Sequence, residues 1–231
     1  MSVIITLDSE LSNEWFTKLK IHQHNTSQER LKHLRYERIH LKKFLSLDVS
    51  RLEDFLYQFP FPDNSDEEMM WQAMQHYGGA FPHLSETLRS KREFALEGVK
   101  FDGKFLEFTS DELRNDREVV MEAIDENAAA LEFASEALKD DASIVERAVE
   151  GQVSDIIRFA SERLRDSKKI ARVAVDRHAI AYCYLSDRLQ NDIDFAESCV
   201  GWDRYAGRNQ VHLYMPSHVE KKMRELFYMD Y

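Results

Sequence analysis

Two kinds of side chain recur in this chain at a spacing that invites a chemical reading. Ser85, Ser110, Ser135, Ser161 and Ser186 follow one another at intervals of twenty-five or twenty-six residues. Six residues after them comes a second column, Lys91, Asp116, Asp141, Ser167 and Asp192, which Asp66 precedes. A serine becomes a nucleophile when a positioned base activates it, and one such serine is enough for catalysis. Five at one spacing describe a structural device, with the hydroxyl bonding backbone or packing as a small group. The aspartates carry the same reading. Each stands directly before a helical pattern, as Ser167 does, so these side chains are expected to be N-caps that accept orphan backbone N–H groups rather than metal ligands. Lys91 departs from that role.

The other reactive side chains form no recognisable constellation. His22 and His24 lie in a polar loop with no cysteine or carboxylate cluster beside them, and they read as solvated residues rather than metal ligands. Cys183 and Cys199 have no metal-site partners at useful spacing and read as reduced, packed thiols. There is no Gly-rich phosphate loop and no His-Glu-x-x-His. No catalytic, metal or cofactor-binding residue is therefore assigned, no cofactor is expected, and the chain reads as a protein without enzymatic activity.

The elements that must position these columns are short helices. Taking Phe108 as position one, copies begin near Gln58, His83, Phe108, Phe133, Phe159 and Tyr184, with one extra residue in the Gly151–Ser154 loop. The leucine column Leu88, Leu113, Leu138, Leu164 and Leu189 sits three residues after the serines. After the capping column, apolar residues follow at three, four, seven and eight positions, which is one face of a helix. The third of these is small in every copy: Ala73, Gly98, Ala123, Ala148, Ala174 and Cys199. A small column there implies that another backbone crosses close by. A second small column, Gly78, Gly103, Ala128, Ser154 and Ala179, opens the next helix, and Phe81, Leu106, Leu131, Ile157 and Tyr182 line its inner side together with the position-one residues. Each copy is expected to be a pair of helices of about ten residues, too short to persist alone in water. Stacking solves this, giving an all-α fold: a right-handed-type α-solenoid of about six 25-residue helical hairpins with atypical helical caps at both ends.

Outside the repeats, residues 1–57 are expected to form three helices, the second with a basic face that includes Arg30, Lys32, Arg35 and Arg38. Copies occupy residues 58–208. Residues 209–231 supply a last helix after Pro216-Ser217 and an aromatic tail, in which Phe227, Tyr228 and Tyr231 either cover the final copy or dock on another chain, a second copy of this protein included.

Charge narrows the choice of partner. Residues 61–150 carry nine Lys and Arg against twenty-two Asp and Glu, so the acidic excess behind the chain's net charge of −11 resides there. Glu67, Glu68, Glu86, Glu93, Glu107, Asp111, Glu112, Glu118, Glu122, Asp125 and Glu126 fall at positions the core pattern leaves outside. Such a surface repels nucleic acid and anionic membrane and steers a basic protein. No segment approaches a transmembrane length and no signal peptide is visible, so a cytoplasmic protein is expected.

The columns aromatic-x-Ser-x-x-Leu-x-x-Asp, followed by apolar pairs flanking Ala-Val, resemble the tandem repeats classified as domain of unknown function 4116, over residues 64–200. Ala128 and Ala179 stand where that family tends to have Gly. The resemblance implies a helical repeat scaffold with no agreed activity and no catalytic residues. Relatives of this kind occur with many copies in larger bacterial and protist proteins, including secreted effectors, for which the location would be the host cytosol. The function expected is a scaffold for protein–protein interaction. Its rivals are nucleic-acid binding or an unrecognised activity in the basic N-terminal segment with the repeats as platform, and an acidic mimic of nucleic acid.

Overall fold

Five serines and a set of aspartates with free side-chain oxygens set the helix boundaries, and the boundaries set the fold. The computed structural model describes residues 43, 47, 52, 67–200 and 210–228. The chain divides into two compact units, Met1–Asp48 and Val49–Tyr231. All the elements below belong to the second. The three helices expected in residues 1–57, the opening of the copy at Gln58, Asp66, and the pair His22 and His24 lie outside the described residues.

Among the described residues the structure is helical throughout, with no strand. In chain order its α-helices are α1 (Glu67–His76), α2 (Glu86–Arg89), α3 (Arg92–Phe101), α4 (Asp111–Arg114), α5 (Arg117–Glu126) and α6 (Glu136–Lys139). They continue as α7 (Ala142–Val149), α8 (Glu162–Arg165), α9 (Lys168–Arg177), α10 (Asp187–Gln190), α11 (Ile193–Val200) and α12 (Ser217–Tyr228). A 3-10 segment precedes each of α2, α4, α6, α8 and α10, the clearest being Gly103–Phe108 and Ala128–Phe133. The odd-numbered helices from α1 to α11 are the long arm of each copy.

The second arm differs from the expected ten-residue helix. It is a 3-10 turn followed by a single α-turn, and the serine column is the reason. Ser110 has extended backbone, φ −69° and ψ 159°, and its Oγ accepts the Leu113 N–H as an N-cap. A residue with cap geometry starts a new helix and cannot continue the old one. Ser85, Ser135, Ser161 and Ser186 cap α2, α6, α8 and α10 through the N–H of Leu88, Leu138, Leu164 and Leu189. The structural reading of the serines holds.

Long helices stack on long helices, α1 on α3, α3 on α5, and so on to α11, while the 3-10 segments form a second row beside them. The core lies between the rows. Val119, Val120, Ile144 and Val145 on the long helices are fully buried, as are Leu106 and Leu131 on the 3-10 row. The position-one residues Phe108, Phe133, Phe159 and Tyr184 are only half-buried, so the residue two before them carries more of the core. Burying one such apolar side chain contributes about 1.5–3 kcal/mol, which is how copies too short to stand alone stabilise one another.

The small columns answer to close approach. A Cβ on Gly103 would stand 2.1 Å from the Ala123 carbonyl oxygen, and one on Gly98 would stand 2.6 Å from the Phe81 ring. A backbone is therefore what Ala123 meets, whereas Gly98 makes room for a side chain. Ser154 breaks its column: it is exposed, because the extra residue in the preceding loop shortens that 3-10 segment to Ile156–Phe159.

After α11 the pattern returns once more. Leu88 and Arg89 N–H groups bond the Ser85 carbonyl, and the Val219 and Glu220 N–H groups bond the Pro216 carbonyl in the same way. Met215 and Val219 are buried like Leu185 and Leu189. Gln210–Tyr228 is thus a seventh, degenerate copy with Pro216 in the serine column. Its short and long helices fuse into α12, which packs on α11.

Candidate interaction surface

The polar columns knit neighbouring copies together. Asp116 accepts the Glu118 and Val119 N–H groups at 2.9 and 3.2 Å, capping α5. Its other oxygen takes the Arg92 Nε–H at 2.8 Å, from the preceding copy, and Arg92 also reaches Glu118. Burial would raise the Asp116 pKa, but the Arg92 guanidinium and the two N–H groups outweigh it and hold the carboxyl below its usual range. Asp141 caps α7 and pairs with Arg117; Asp192 caps at the Phe195 N–H and pairs with Lys168 at 2.7 Å. Both are held below the usual carboxylate range, Asp141 chiefly by the Ser143 hydroxyl and Asp192 chiefly by Lys168. Ser167 breaks the expected pattern: it makes no side-chain cap to α9. Lys91, which cannot cap, pairs back to Glu67.

A second set of rungs runs through the serines. The Ser161 and Ser186 hydroxyls donate to Asp140 and Asp166 of the preceding copy, and that of Ser135 donates to Asn115 at 2.6 Å. Their backbone N–H groups bond the carbonyls of Lys139, Arg165 and Arg114. Arg163 then clasps Asp140 and Arg188 clasps Asp166. These serines are spent on holding copies together.

The acidic residues lie where the pattern put them, with qualifications in detail. Glu67, Glu68, Glu86, Glu93, Glu107, Asp111, Glu112, Glu118, Asp125 and Glu126 are exposed, and Glu122 is half-buried. They do not share one element. Glu86, Asp111 and Glu112 ride on the single-turn helices and Glu107 on a 3-10 segment, while the rest are on α1, α3 and α5. Several are matched locally: Glu67 by Lys91, Glu118 by Arg92, Asp111 by Arg114 and Asp125 by Arg147.

Cys199 is buried at the small column, where burial pushes its thiol pKa up. Cys183 is exposed, against the expectation of a packed thiol; its column otherwise holds Pro82, Glu107, Glu132 and Arg158. Helix α12 runs through Phe227 and Tyr228, but the side-chain roles expected for Phe227, Tyr228 and Tyr231 lie outside the described residues. No helix among the described residues is long and apolar enough to cross a membrane.

The geometry defines a helical repeat protein whose unit runs from one N-capped long helix to the next. The family described as Domain of unknown function (DUF4116) matches residues 66–114, 91–139 and 116–165. The windows step by one copy, each starting at the residue before a long helix, and residues 66–165 are a tandem array of that repeat. No curated protein and no solved structure matches the chain.

Proposed function

We propose that this chain is a non-enzymatic scaffold that binds another protein along its stacked helices. The observation that carries this reading is a contrast within each copy. The inward and capping positions repeat, and their side chains are committed to core, caps and rungs. The outward positions of the long helices change from copy to copy: Glu93, Glu118, Ser143, Lys169 and Asp194 occupy one such column. A surface that varies on a constant frame suits the recognition of an extended partner. The acidic excess of residues 61–150 favours a basic one, and a cytoplasmic setting, or a host cytosol for a secreted protein, suits the thiol chemistry.

Cross-linking mass spectrometry with the whole chain as bait in its native cell tests this. Partner proteins cross-linked to α1–α11 are the expected result. Recovery of nucleic acid alone, or cross-links confined to residues 1–57, would overturn it.

A further inference from the structure

On each long helix, the four positions beginning at the second residue after the capping column and taken at steps of three, one and three share the outward face. On α1, α3 and α5 one edge of this face is apolar: Trp71, Leu96 and Met121, all half-buried, occupy one repeat position. Three residues before them stand Glu68, Glu93 and Glu118, all exposed. One residue after them stand Gln72, Glu97 and Glu122. An apolar row thus crosses three stacked helices with acids along one side of it. Among the described residues Glu93, Glu97 and Glu122 form no ion pair, and Lys100 is the one cation at these outward positions of α1, α3 and α5.

The later copies show that the fold does not require this row. The same position holds Glu146, Arg172 and Glu197. There the side chains pair within the stack, Glu146 with Lys169 at 2.6 Å and Arg172 with Asp176 at 2.8 Å. Arg172 also donates to the Ser198 carbonyl. Charge at this position is compatible with the repeat, so three apolar residues in succession need another reason. Trp71 has a part of one in its edge-on contact with Phe94, 5.1 Å between centroids.

We propose that the row Trp71, Leu96 and Met121 is the docking site for a basic amphipathic helix of a partner protein. This rests on the scaffold reading and names its partner class. Charge complementarity selects the occupant: an apolar stripe bordered by acids fits a helix whose apolar face is bordered by Lys or Arg. Size agrees. Packed helices lie 8–10 Å apart, so the row spans about 16–20 Å, the length of about 11–13 residues of α-helix. Lipid and nucleic acid are disfavoured by the same acids.

The test uses the whole chain and a fluorescent helical peptide of about 16 residues, built of Leu on one face and Lys on the other. Saturable 1:1 binding in fluorescence anisotropy is expected, and an isohelical Leu/Glu peptide should not bind. The decisive variant is Leu96→Glu with Met121→Glu, which adds negative charge. If the apolar row is the site, affinity for the Leu/Lys peptide falls about tenfold or more. If binding is electrostatic only, the variant binds as tightly or more tightly, and the proposal is wrong. Absence of binding to the parent overturns it too. Native Glu146 and Glu197 indicate that the variant folds; should its circular dichroism melt be lost, Leu96→Gln with Met121→Gln carries the same prediction. Partners that the parent and the Leu96→Glu, Met121→Glu variant capture equally would sink this site while leaving the scaffold standing.

Discussion

Arg117 donates to the same Asp141 carboxylate whose other oxygen caps the next long helix. Oδ1 accepts the Ser143 N–H at 2.9 Å and the Ile144 N–H at 3.3 Å, while Oδ2 faces the guanidinium from the copy before. One side chain therefore ends a loop, starts α7 and ties two copies together. Asp116 with Arg92 and Asp192 with Lys168 repeat the arrangement.

The two jobs differ in strength. A lost N-cap costs about 1 kcal/mol. The ion pair is exposed, with Arg117 at 51% and Asp141 at 31% side-chain accessibility, so solvent screening limits it to about 0–1 kcal/mol. Asp141→Ala is expected to cost about 1–2 kcal/mol, and Arg117→Ala about 0.5 kcal/mol or less. Urea midpoints of the two variants check this. Equal losses would show that the pair, not the cap, dominates.

Between α7 and α9 this rung is missing. Ala142 stands where Arg92, Arg117 and Lys168 stand, and Ser167 makes no cap. Ser167→Asp should stabilise the chain by about 0.5–1 kcal/mol by capping α9. Adding Ala142→Arg to it should yield a further coupling of about 0.2–1 kcal/mol. Thermal melts of the four members of the cycle measure both. A double variant that equals the sum of its singles means the rung does not form.

Acid should weaken the stack through the same carboxylates. Asp116, Asp140, Asp141, Asp166 and Asp192 are all held below their usual range by bonds from neighbours. For a depressed carboxylate the unfolded chain binds protons first, so its contribution is complete above the unfolded pKa of about 3.9 and disappears as pH falls through the folded value. The melting temperature should be flat from neutrality to about pH 5 on account of these groups, then drop steeply below pH 4. Asp141→Asn should make that drop shallower. An unaltered slope would mean that Asp141 carries no proton linkage.

Much of this frame was legible in the sequence because repetition exposes constraint. The Leu88 to Leu189 column, the capping Asp116 and Asp141, and the small Ala123 and Ala148 stood out for that reason, and all are buried or capping in the structure. The break of the second arm was harder to see, since apolar spacing reads alike through a 3-10 turn and an α-turn. Its signal was Ser followed by an acid, as in Ser110-Asp111 and Ser135-Glu136, which is how a new helix starts. The rungs were hidden because each joins two copies. Only a comparison of Arg117 and Asp141 against Ala142 and Ser167 reveals that cation and cap come and go together. Cys183 was expected to be packed like Cys199, although its own column is mostly charged. The acidic residues were found, but the apolar row beside them depends on which helix face each residue occupies.

A last consequence concerns Gly151, just beyond α7. A Cβ there would stand 2.6 Å from the Ala128 Cβ and 3.1 Å from the Ala148 carbonyl oxygen. Ala128 occupies the column that holds Gly103 one copy earlier, so the two positions share room for about one methyl group. Gly151→Ala should overpack this contact and cost about 1–3 kcal/mol. With Ala128→Gly added, the 2.6 Å clash disappears and the Ala148 contact remains, so rescue is expected to be partial, with a coupling of about 1 kcal/mol between residues in direct contact. Additive losses in the urea midpoints would place the strain of Gly151→Ala at the Ala148 carbonyl instead, and Ala128 would then be small for a reason unconnected with Gly151.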